Sequence, residues 1–186
     1  MYNEKTELLE EKKKKKKKEK DGWFSVIILA ILCVIMIFIT NFVVKPVSVV
    51  GGSMNDTFHN KDLVLMYKWK YQPQRGDVVV IDKENPFNDR LFKRLIAVEG
   101  DHLVMQDGKV FVNGEEVDEY YLSQENQNMN TELDIMIPDG QIFIMGDNRM
   151  SSLDSRSFGP IDKSTVMGKI IIRIYPFTDF GVVSSN

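Results

Sequence analysis

A serine preceded by two glycines is the first residue in the chain whose context suggests covalent chemistry. Residues 51–57 read GGSMNDT. The two glycines let the backbone turn tightly, which would expose the Ser53 hydroxyl together with the Ser53 N–H. A hydroxyl nucleophile beside a donor for the developing oxyanion is what acyl transfer requires. Gly-Gly-Ser is also common linker composition, and these residues taken alone favour a flexible linker.

Lys93 is a candidate general base because it interrupts an apolar run. Residues 91–98 read LFKRLIAV, and in a strand Lys93 shares a face with Leu95 and Ala97. Desolvation on such a face lowers the pKa of a lysine, and a neutral amine can accept a serine proton. The commoner alternative is an edge-strand lysine whose head reaches water. Arg94, on the opposite face, is then free to serve the surface.

A polar segment near the C-terminus contains acidic, basic and hydroxyl side chains at short intervals. Residues 145–156 read MGDNRMSSLDSR. Gly, Asp and Asn favour tight turns, and the alternation of Asp with Arg makes buried ion pairs plausible. Ser152 could donate or accept a hydrogen bond there. Without further information, the pattern predicts an ordered polar loop.

Metal and cofactor chemistry have little support in the composition. Cys33 is the single cysteine, which rules out an intramolecular disulfide framework and a cysteine-based zinc site. His59 and His102 are the only histidines, so a His-rich metal centre is not expected. A Ser-His-Asp hydrolase using either histidine is an alternative, but no other element of a triad signature accompanies them. The sequence therefore predicts chemistry without a metal or a cofactor.

An N-terminal apolar segment predicts a membrane anchor over residues 22–44. Positions 23–44 contain no charged residue, and 22 helical residues at 1.5 Å each would span about 33 Å, enough for a hydrocarbon core of about 30 Å. The run is longer than the apolar core of a cleavable signal peptide and lacks a small-residue cleavage site. Residues 12–18 are all lysine. An anionic-lipid clamp and a nuclear signal are alternative interpretations of that run, but its position beside the span favours a cytoplasmic tail over residues 1–21.

The net charge of −3 conceals an asymmetry between the two ends of the chain. Residues 1–20 hold nine Lys and five Glu, a net of +4, so the remaining 166 residues carry −7. An acidic body lacks the clustered basic surface that binds phosphates, which argues against nucleic acid as a partner.

The region after the anchor, residues 45–186, predicts a mostly β domain. Its apolar runs are short and rich in Val and Ile, which favours strands; the runs are 63–67, 78–81, 91–98, 103–105, 110–112, 142–145 and 166–174. Asp107-Gly108 and Asn113-Gly114 predict type I′ hairpins. Residues 123–132 are polar enough to form a loop. We expect one compact β-sheet or partial-barrel body with hairpin insertions.

Four boxes together resemble the bacterial type I signal peptidases, the membrane-bound Ser–Lys proteases. Residues 53–57 (SMNDT) resemble the family's S-M-x-P-T box, and 75–80 (RGDVVV) resemble its R-G-D-V-V-V/I box. Residues 93–101 (KRLIAVEGD) are similar to K-R-V-I-G-L-P-G-D. Residues 146–156 match G-D-N-R-x-x-S-x-D-S-R at every specified position. The boxes occur in the family's order, and the resemblance covers roughly residues 20–175.

The resemblance implies a role for each matching residue. Ser53 would be the nucleophile, with its backbone N–H as oxyanion donor, and Lys93 would be the general base. Ser152 would hold the Lys93 amine. Supporting ion pairs would join Asp154 to Arg156 and Asp147 to Arg94. No metal or cofactor would be needed.

The resemblance also implies the substrate, the location and the fold. Substrates would be secretory preproteins with small residues at positions −1 and −3, cut by an enzyme anchored in the lipid bilayer. The N-terminus would be cytoplasmic and the β domain extracytoplasmic; any contact with secretion machinery is left open. Asp56 stands where the family has proline, and a carboxylate near Lys93 would raise the pKa of the base. A catalytically impaired relative that binds precursors or another peptidase is therefore the alternative.

Overall fold

The chain forms two compact units, Met1–Phe42 and Val43–Asn186. The computed structural model describes residues 22–85, 88–127 and 131–183. The predicted lysine-rich tail, residues 1–21, lies outside the described residues.

The described residues of the first unit belong to helix α1 (Gly22–Val43), which is long and apolar enough to cross a membrane. Its residues 22–42 are exposed. The last turn, Ile39–Val43, is π-helical. Within this turn, the Thr40 hydroxyl donates a hydrogen bond to the Met36 carbonyl oxygen at 3.0 Å. Val44, which the sequence assigned to the anchor, instead begins the first strand.

The second unit is built around an eight-stranded antiparallel sheet, which confirms the mostly β prediction. Its strands run in the order β1-β2-β11-β3-β4-β9-β10, with β12 paired to β11. Their bounds are β1 (Val44–Ser48), β2 (Leu63–Tyr67), β3 (Val78–Ile81), β4 (Leu91–Val98), β9 (Gln141–Met145), β10 (Ile161–Asp162), β11 (Val166–Tyr175) and β12 (Gly181–Val182). The one other α-helix in the described part of the chain is α2 (Ser155–Phe158), one turn long.

A second, four-stranded sheet holds the hairpins. Its order is β7-β6-β5-β8, and its strands are β5 (His102–Gln106), β6 (Lys109–Val112), β7 (Glu115–Glu116) and β8 (Leu133–Met136). Both residues of Asp107-Gly108 and of Asn113-Gly114 have positive φ, which is the backbone that type I′ turns require. Both predicted hairpins are therefore confirmed.

Strand β4 is central in the large sheet and is buried along its length except at its two ends. It pairs with β3 on one side, where Lys93 lies opposite Val79, and with β9 on the other, where Arg94 lies opposite Met145. A register shift falls between Leu95 and Ala97. Ala97 consequently packs in a different core cluster from Leu95, so the expected common face of Lys93, Leu95 and Ala97 is wrong beyond Leu95.

Candidate active site

The serine loop, residues 49–62 between β1 and β2, is held to the body by two apolar side chains. Met54 and Phe58 are buried and pack in one core cluster with Val78, Val80 and Phe92. The intervening residues turn tightly, because the Thr57 and Phe58 N–H groups both donate to the Met54 carbonyl. Ser53 is therefore presented by an anchored turn beside β4, and the linker interpretation of Gly-Gly-Ser does not hold.

Ser53 directs its hydroxyl toward β4 and leaves its own N–H available. The Ser53 Oγ donates a long hydrogen bond, 3.5 Å, to the carbonyl of Phe92, the residue before Lys93. Within the described residues, neither a Lys93–Ser53 hydrogen bond nor an acceptor for the Ser53 N–H is present. A hydroxyl at the base-bearing strand and an uncommitted N–H are the two donors that acyl transfer uses.

Asn148 clamps the backbone on both sides of the serine nitrogen. Its side-chain amide donates to the Gly52 carbonyl at 3.0 Å, and its backbone N–H donates to the Ser53 carbonyl at 3.0 Å. The Asn55 N–H also donates to the Gly52 carbonyl. Because a peptide unit is planar and trans, fixing the Gly52 carbonyl fixes the opposite direction of the Ser53 N–H.

Lys93 is buried, with 3% of its surface exposed. Its Nζ donates to the Ser152 Oγ at 3.0 Å. Burial lowers the pKa of Lys93 from 10.5 to about 8, because desolvation outweighs the pull of nearby carboxylates. Asp154 raises the pKa, Arg156 lowers it and Asp147 raises it. An amine with this pKa is partly neutral near physiological pH and can act as a base.

Gly146 brings the serine loop and Ser152 into contact. A Cβ at position 146 would lie closer than 3.0 Å to the Ser53 carbonyl oxygen and to both side-chain atoms of Ser152. Only a residue without a side chain allows this approach. The loop after β9 thus meets the serine loop beside the Lys93 amine. This contact brings Ser53, Lys93 and Ser152 together.

Arg94 is not at the surface, and that expectation from strand alternation is wrong. Its guanidinium makes a bidentate pair with Asp147, with Nε–Oδ1 at 2.9 Å and Nη2–Oδ2 at 2.8 Å, and neither side chain is more than 2% exposed. The Thr57 hydroxyl donates to the same carboxylate. The Tyr121 ring covers the guanidinium, 3.7 Å from its carbon. Both faces of central strand β4 are packed, so a charge on either face needs a buried partner.

The second ion pair joins Asp154 to Arg156 and shapes the turn that carries Ser152. The Arg156 Nε and Nη2 each lie 2.8 Å from one Asp154 oxygen. Asp154 also accepts from the Gly146 N–H at 2.9 Å and caps α2 through the Arg156 N–H. Burial alone would raise the pKa of Asp154, but Arg156 holds it below its usual value.

Asp56 does not contact Lys93. Its Oδ2 accepts from the Ser123 N–H at 2.7 Å and from the Asn126 side-chain amide at 2.8 Å. The charges that act on the pKa of Lys93 are those of Asp154, Arg156 and Asp147. The expectation that the Asp56 carboxylate raises the pKa of the base is therefore wrong.

The histidines take no part in this cluster. His102 lies at the surface of the second sheet, where its Nε2 is 2.7 Å from Asp134. His59 is exposed, and its backbone N–H bonds to Asp62. In the described ranges, no three His, Cys, Asp or Glu side chains are grouped so that they could hold a metal.

Sequence reasoning from the residues missed several members of the site. Asn148 and Arg149 lie inside the polar box but received no role, although Arg149 is buried and bonds to the Gly146 carbonyl and to Glu119. Thr57 and Tyr121 contact the Arg94 pair from distant parts of the chain. Nothing in the local spacing of Tyr121 signals that contact, because it depends on the tertiary arrangement.

The arrangement has known counterparts. A family model described as "Signal peptidase, peptidase S26" matches residues 22–175. The chain is 36% identical to a signal peptidase I of Bacillus licheniformis, over 84% of this chain and 89% of that protein. It is 32% identical to a signal peptidase IB of Staphylococcus aureus, over 83% and 90%. A crystal structure of a signal peptidase I from Enterococcus faecalis aligns with a TM-score of 0.45 and 28% identity, over 53% of this chain and 97% of that one.

Proposed function

The chain belongs to the signal peptidase family, peptidase S26, and from that membership we propose that Ser53 is its nucleophile and Lys93 its general base. It is a membrane-anchored serine endopeptidase that removes signal peptides from secretory preproteins. The Ser–Lys pair is the chemistry of this family. The observation that carries the assignment is the buried Lys93 amine, bonded to Ser152 beside the strand carbonyl that Ser53 contacts.

The reaction proceeds by acyl transfer. Neutral Lys93 takes the Ser53 hydroxyl proton while Ser53 Oγ attacks the carbonyl carbon of the −1 residue. The protonated amine then gives that proton to the leaving nitrogen, which departs as the new N-terminus of the mature protein. Lys93, neutral again, takes a proton from water as the water oxygen attacks the ester carbonyl. The bond from that carbonyl to Ser53 Oγ then breaks, and the protonated amine returns its proton to Oγ, which restores both residues.

The Ser53 N–H stabilises the oxyanion of both tetrahedral intermediates. Its lack of a protein acceptor in the described residues supports this role, as does the clamp on the Gly52 carbonyl. Loss of one such donor costs about 10²–10³ in rate in other proteases. Gly51 carries no hydroxyl that could supply a second donor.

The remaining predicted residues position this pair. Ser152 orients the Lys93 amine. Asp154 with Arg156 holds the turn around Ser152, and Asp147 with Arg94 ties the polar loop to β4. Breaking a buried ion pair on one side leaves an uncompensated charge, which costs several kcal/mol.

The proposed layout has a cytoplasmic tail over residues 1–21, an anchor over 22–43 and an extracytoplasmic peptidase domain over 44–186, since Val44 begins β1. The lysine run beside the span supports this orientation, because positive flanks stay in the cytoplasm. The substrate is cut after small residues at −1 and −3. Larger side chains are rejected there by a clash rather than by a missing contact.

The test is cleavage of a preprotein by the detergent-solubilised full chain, with N-terminal sequencing of the product. We expect the wild type to cut after a small −1 residue and Ser53→Ala and Lys93→Ala to be inert while remaining folded. An active Ser53→Ala variant would overturn the nucleophile assignment. An inert wild type would favour the non-catalytic binding protein.

A further inference from the structure

A strap of residues 119–127 touches three separate parts of the proposed catalytic machinery. Tyr121 stacks on Arg94, and Glu119 accepts from Arg149 at 2.6 Å. At the other end of the strap, Ser123 and Asn126 both donate to Asp56 in the serine loop. The strap therefore bridges the serine loop, β4 and the loop after β9.

Asn126 is the centre of the bridge between the two loops. It is 6% exposed, so its amide must find partners within the protein. Its Nδ2 donates to the Asp56 carboxylate at 2.8 Å, and its Oδ1 accepts from the Met150 N–H at 3.2 Å. One buried side chain thus joins the residue three positions after Ser53 to the residue two positions before Ser152.

We infer that Asp56 is a positioning residue, which locks the strap onto the serine loop and so fixes Ser53 relative to Lys93 and Ser152. The inference rests on the proposed roles of Ser53 and Lys93. The proline that relatives of the resembled family carry at this position fixes φ but has no side-chain acceptor. Here the loop is held from outside, by a carboxylate and a strap, in place of a rigid ring.

The lock is strong enough to matter for geometry. Hydrogen bonds to a carboxylate contribute more to stability than hydrogen bonds between neutral groups. Removing the carboxylate leaves the buried Asn126 Nδ2 with one weaker acceptor, the Ser123 hydroxyl oxygen at 3.2 Å. A misplacement of about 1 Å at a catalytic group can cost about 10² in rate.

The role is mechanical and not electrostatic. Within the described residues, the two hydrogen-bond donors to the Asp56 side chain both lie in the strap, and the charges that shift the pKa of Lys93 are those of other residues. The lock therefore acts on kcat through geometry and leaves the ionisation of the base unchanged.

The experiment measures kcat, KM and the pH dependence of preprotein cleavage for Asp56→Ala, Asp56→Asn and Asp56→Pro in the full chain. We expect Asp56→Ala to lower kcat at least tenfold with KM within about twofold, and the apparent pKa of the base to stay at the wild-type value. Asp56→Asn keeps an acceptor oxygen and should stay within about threefold of wild type. Asp56→Pro should behave like Asp56→Ala. The control is Asp134→Ala, which removes a carboxylate that is 74% exposed in the second sheet.

Asn126→Ala and the double variant with Asp56→Ala complete the test. If the two residues form one lock, the double variant loses no more activity than the worse single variant. Hydrogen exchange of residues 123–127 should speed up in both single variants, a readout available even where activity is lost. An Asp56→Ala enzyme with unchanged kcat, an active Asp56→Pro enzyme or additive losses would overturn the lock. The wild-type and Ser53→Ala activities report separately on the proposed function.

Discussion

Lys93 lies among three charges that act on its pKa in opposite directions. Asp154 and Asp147 raise the pKa, while Arg156 adds to desolvation in lowering it. Desolvation is the largest of these influences, so their net effect is to lower the pKa of Lys93. With a pKa of about 8, about one amine in ten is neutral at pH 7.

Removal of the Arg156 charge should move the base to higher pH. In Arg156→Gln the positive charge that lowers the pKa of Lys93 is lost and Asp154 is left uncompensated, and both changes favour the protonated amine. The acid-side limb of the kcat/KM profile, on which activity rises with pH, should therefore shift to higher pH, so that activity at pH 7 falls more than activity at pH 9. Arg156→Lys retains the charge and is the matched control. A limb that stays in place in Arg156→Gln would contradict the electrostatic account.

Ser152 should affect turnover through the orientation of the amine. In Ser152→Ala the Lys93 Nζ loses its partner at 3.0 Å. The loss of a hydrogen bond to a charged group, about 1.5–3 kcal/mol, corresponds to a fall in kcat of about 10–150-fold. Ser151→Ala, one residue away and exposed, should keep wild-type kcat. Equal losses in the two variants would show that the turn, and not the Ser152 hydroxyl, is what matters.

At the scale of elements, the site is a meeting of two loops over one central strand. The serine loop leaves β1, the polar loop leaves β9, and both are held against β4 by Met54 and by the Arg94–Asp147 pair. Gly146 is the point of closest approach. Strand β4 fixes the position of the Lys93 amine, and the two loops bring Ser53 and Ser152 to that strand.

A methyl group at position 146 should separate the two loops. In Gly146→Ala the new Cβ meets the Ser53 carbonyl and the Ser152 side chain, so one loop must move. Overpacking of this kind costs about 1–3 kcal/mol in stability, and we expect preprotein cleavage to fall at least 100-fold because the reacting groups are displaced. The measurement is kcat together with thermal unfolding. Gly181→Ala, where nothing lies within 4 Å, is the control; a fully active Gly146→Ala would contradict the close approach.

The strands were predictable from sequence where burial and turn chemistry agree. The Val- and Ile-rich runs and the Asp-Gly and Asn-Gly turns gave β2 to β6 within about two residues at each end. The edge strand β1 was not predicted because Lys45 and Pro46 interrupt its apolar pattern. Proline is tolerated there because β1 lies at the edge of the sheet. Helix α2 is too short to show a period.

The candidate site was only partly predictable. Taken one at a time, the residues were only weak evidence for Ser53 as a nucleophile and Lys93 as a base. The order of the four boxes supplied the stronger evidence and the roles of the supporting residues. Arg94 was misplaced because alternation does not reveal that both faces of β4 are covered. The contact of Asp56 with Asn126 joins positions 70 residues apart, and no local pattern can announce it.

At the scale of the whole molecule, positive charge is concentrated before α1 and negative charge after it. The three core clusters and the candidate site all fall within residues 43–183, which belong to the second unit. This division suits an enzyme whose anchor and catalytic unit have separate tasks.

The orientation can be read from thiol accessibility in intact cells. Cys33, the single cysteine, lies in α1, and in a Cys33→Ala background we expect Ser157→Cys to react with a membrane-impermeant maleimide. Lys5→Cys, in the N-terminal tail, should react only after the cells are opened, because the lysine run stays cytoplasmic. Labelling of Lys5→Cys in intact cells would reverse the proposed topology.

The most direct test of the account is the pH dependence of kcat/KM for preprotein cleavage by the wild-type enzyme between pH 5 and 10. Desolvation lowers the pKa of Lys93 to about 8, and only the neutral amine can accept the Ser53 proton. Cleavage should therefore rise about tenfold per pH unit at low pH and level off above pH 8. A profile that is flat from pH 5 to 9 would contradict Lys93 as the base.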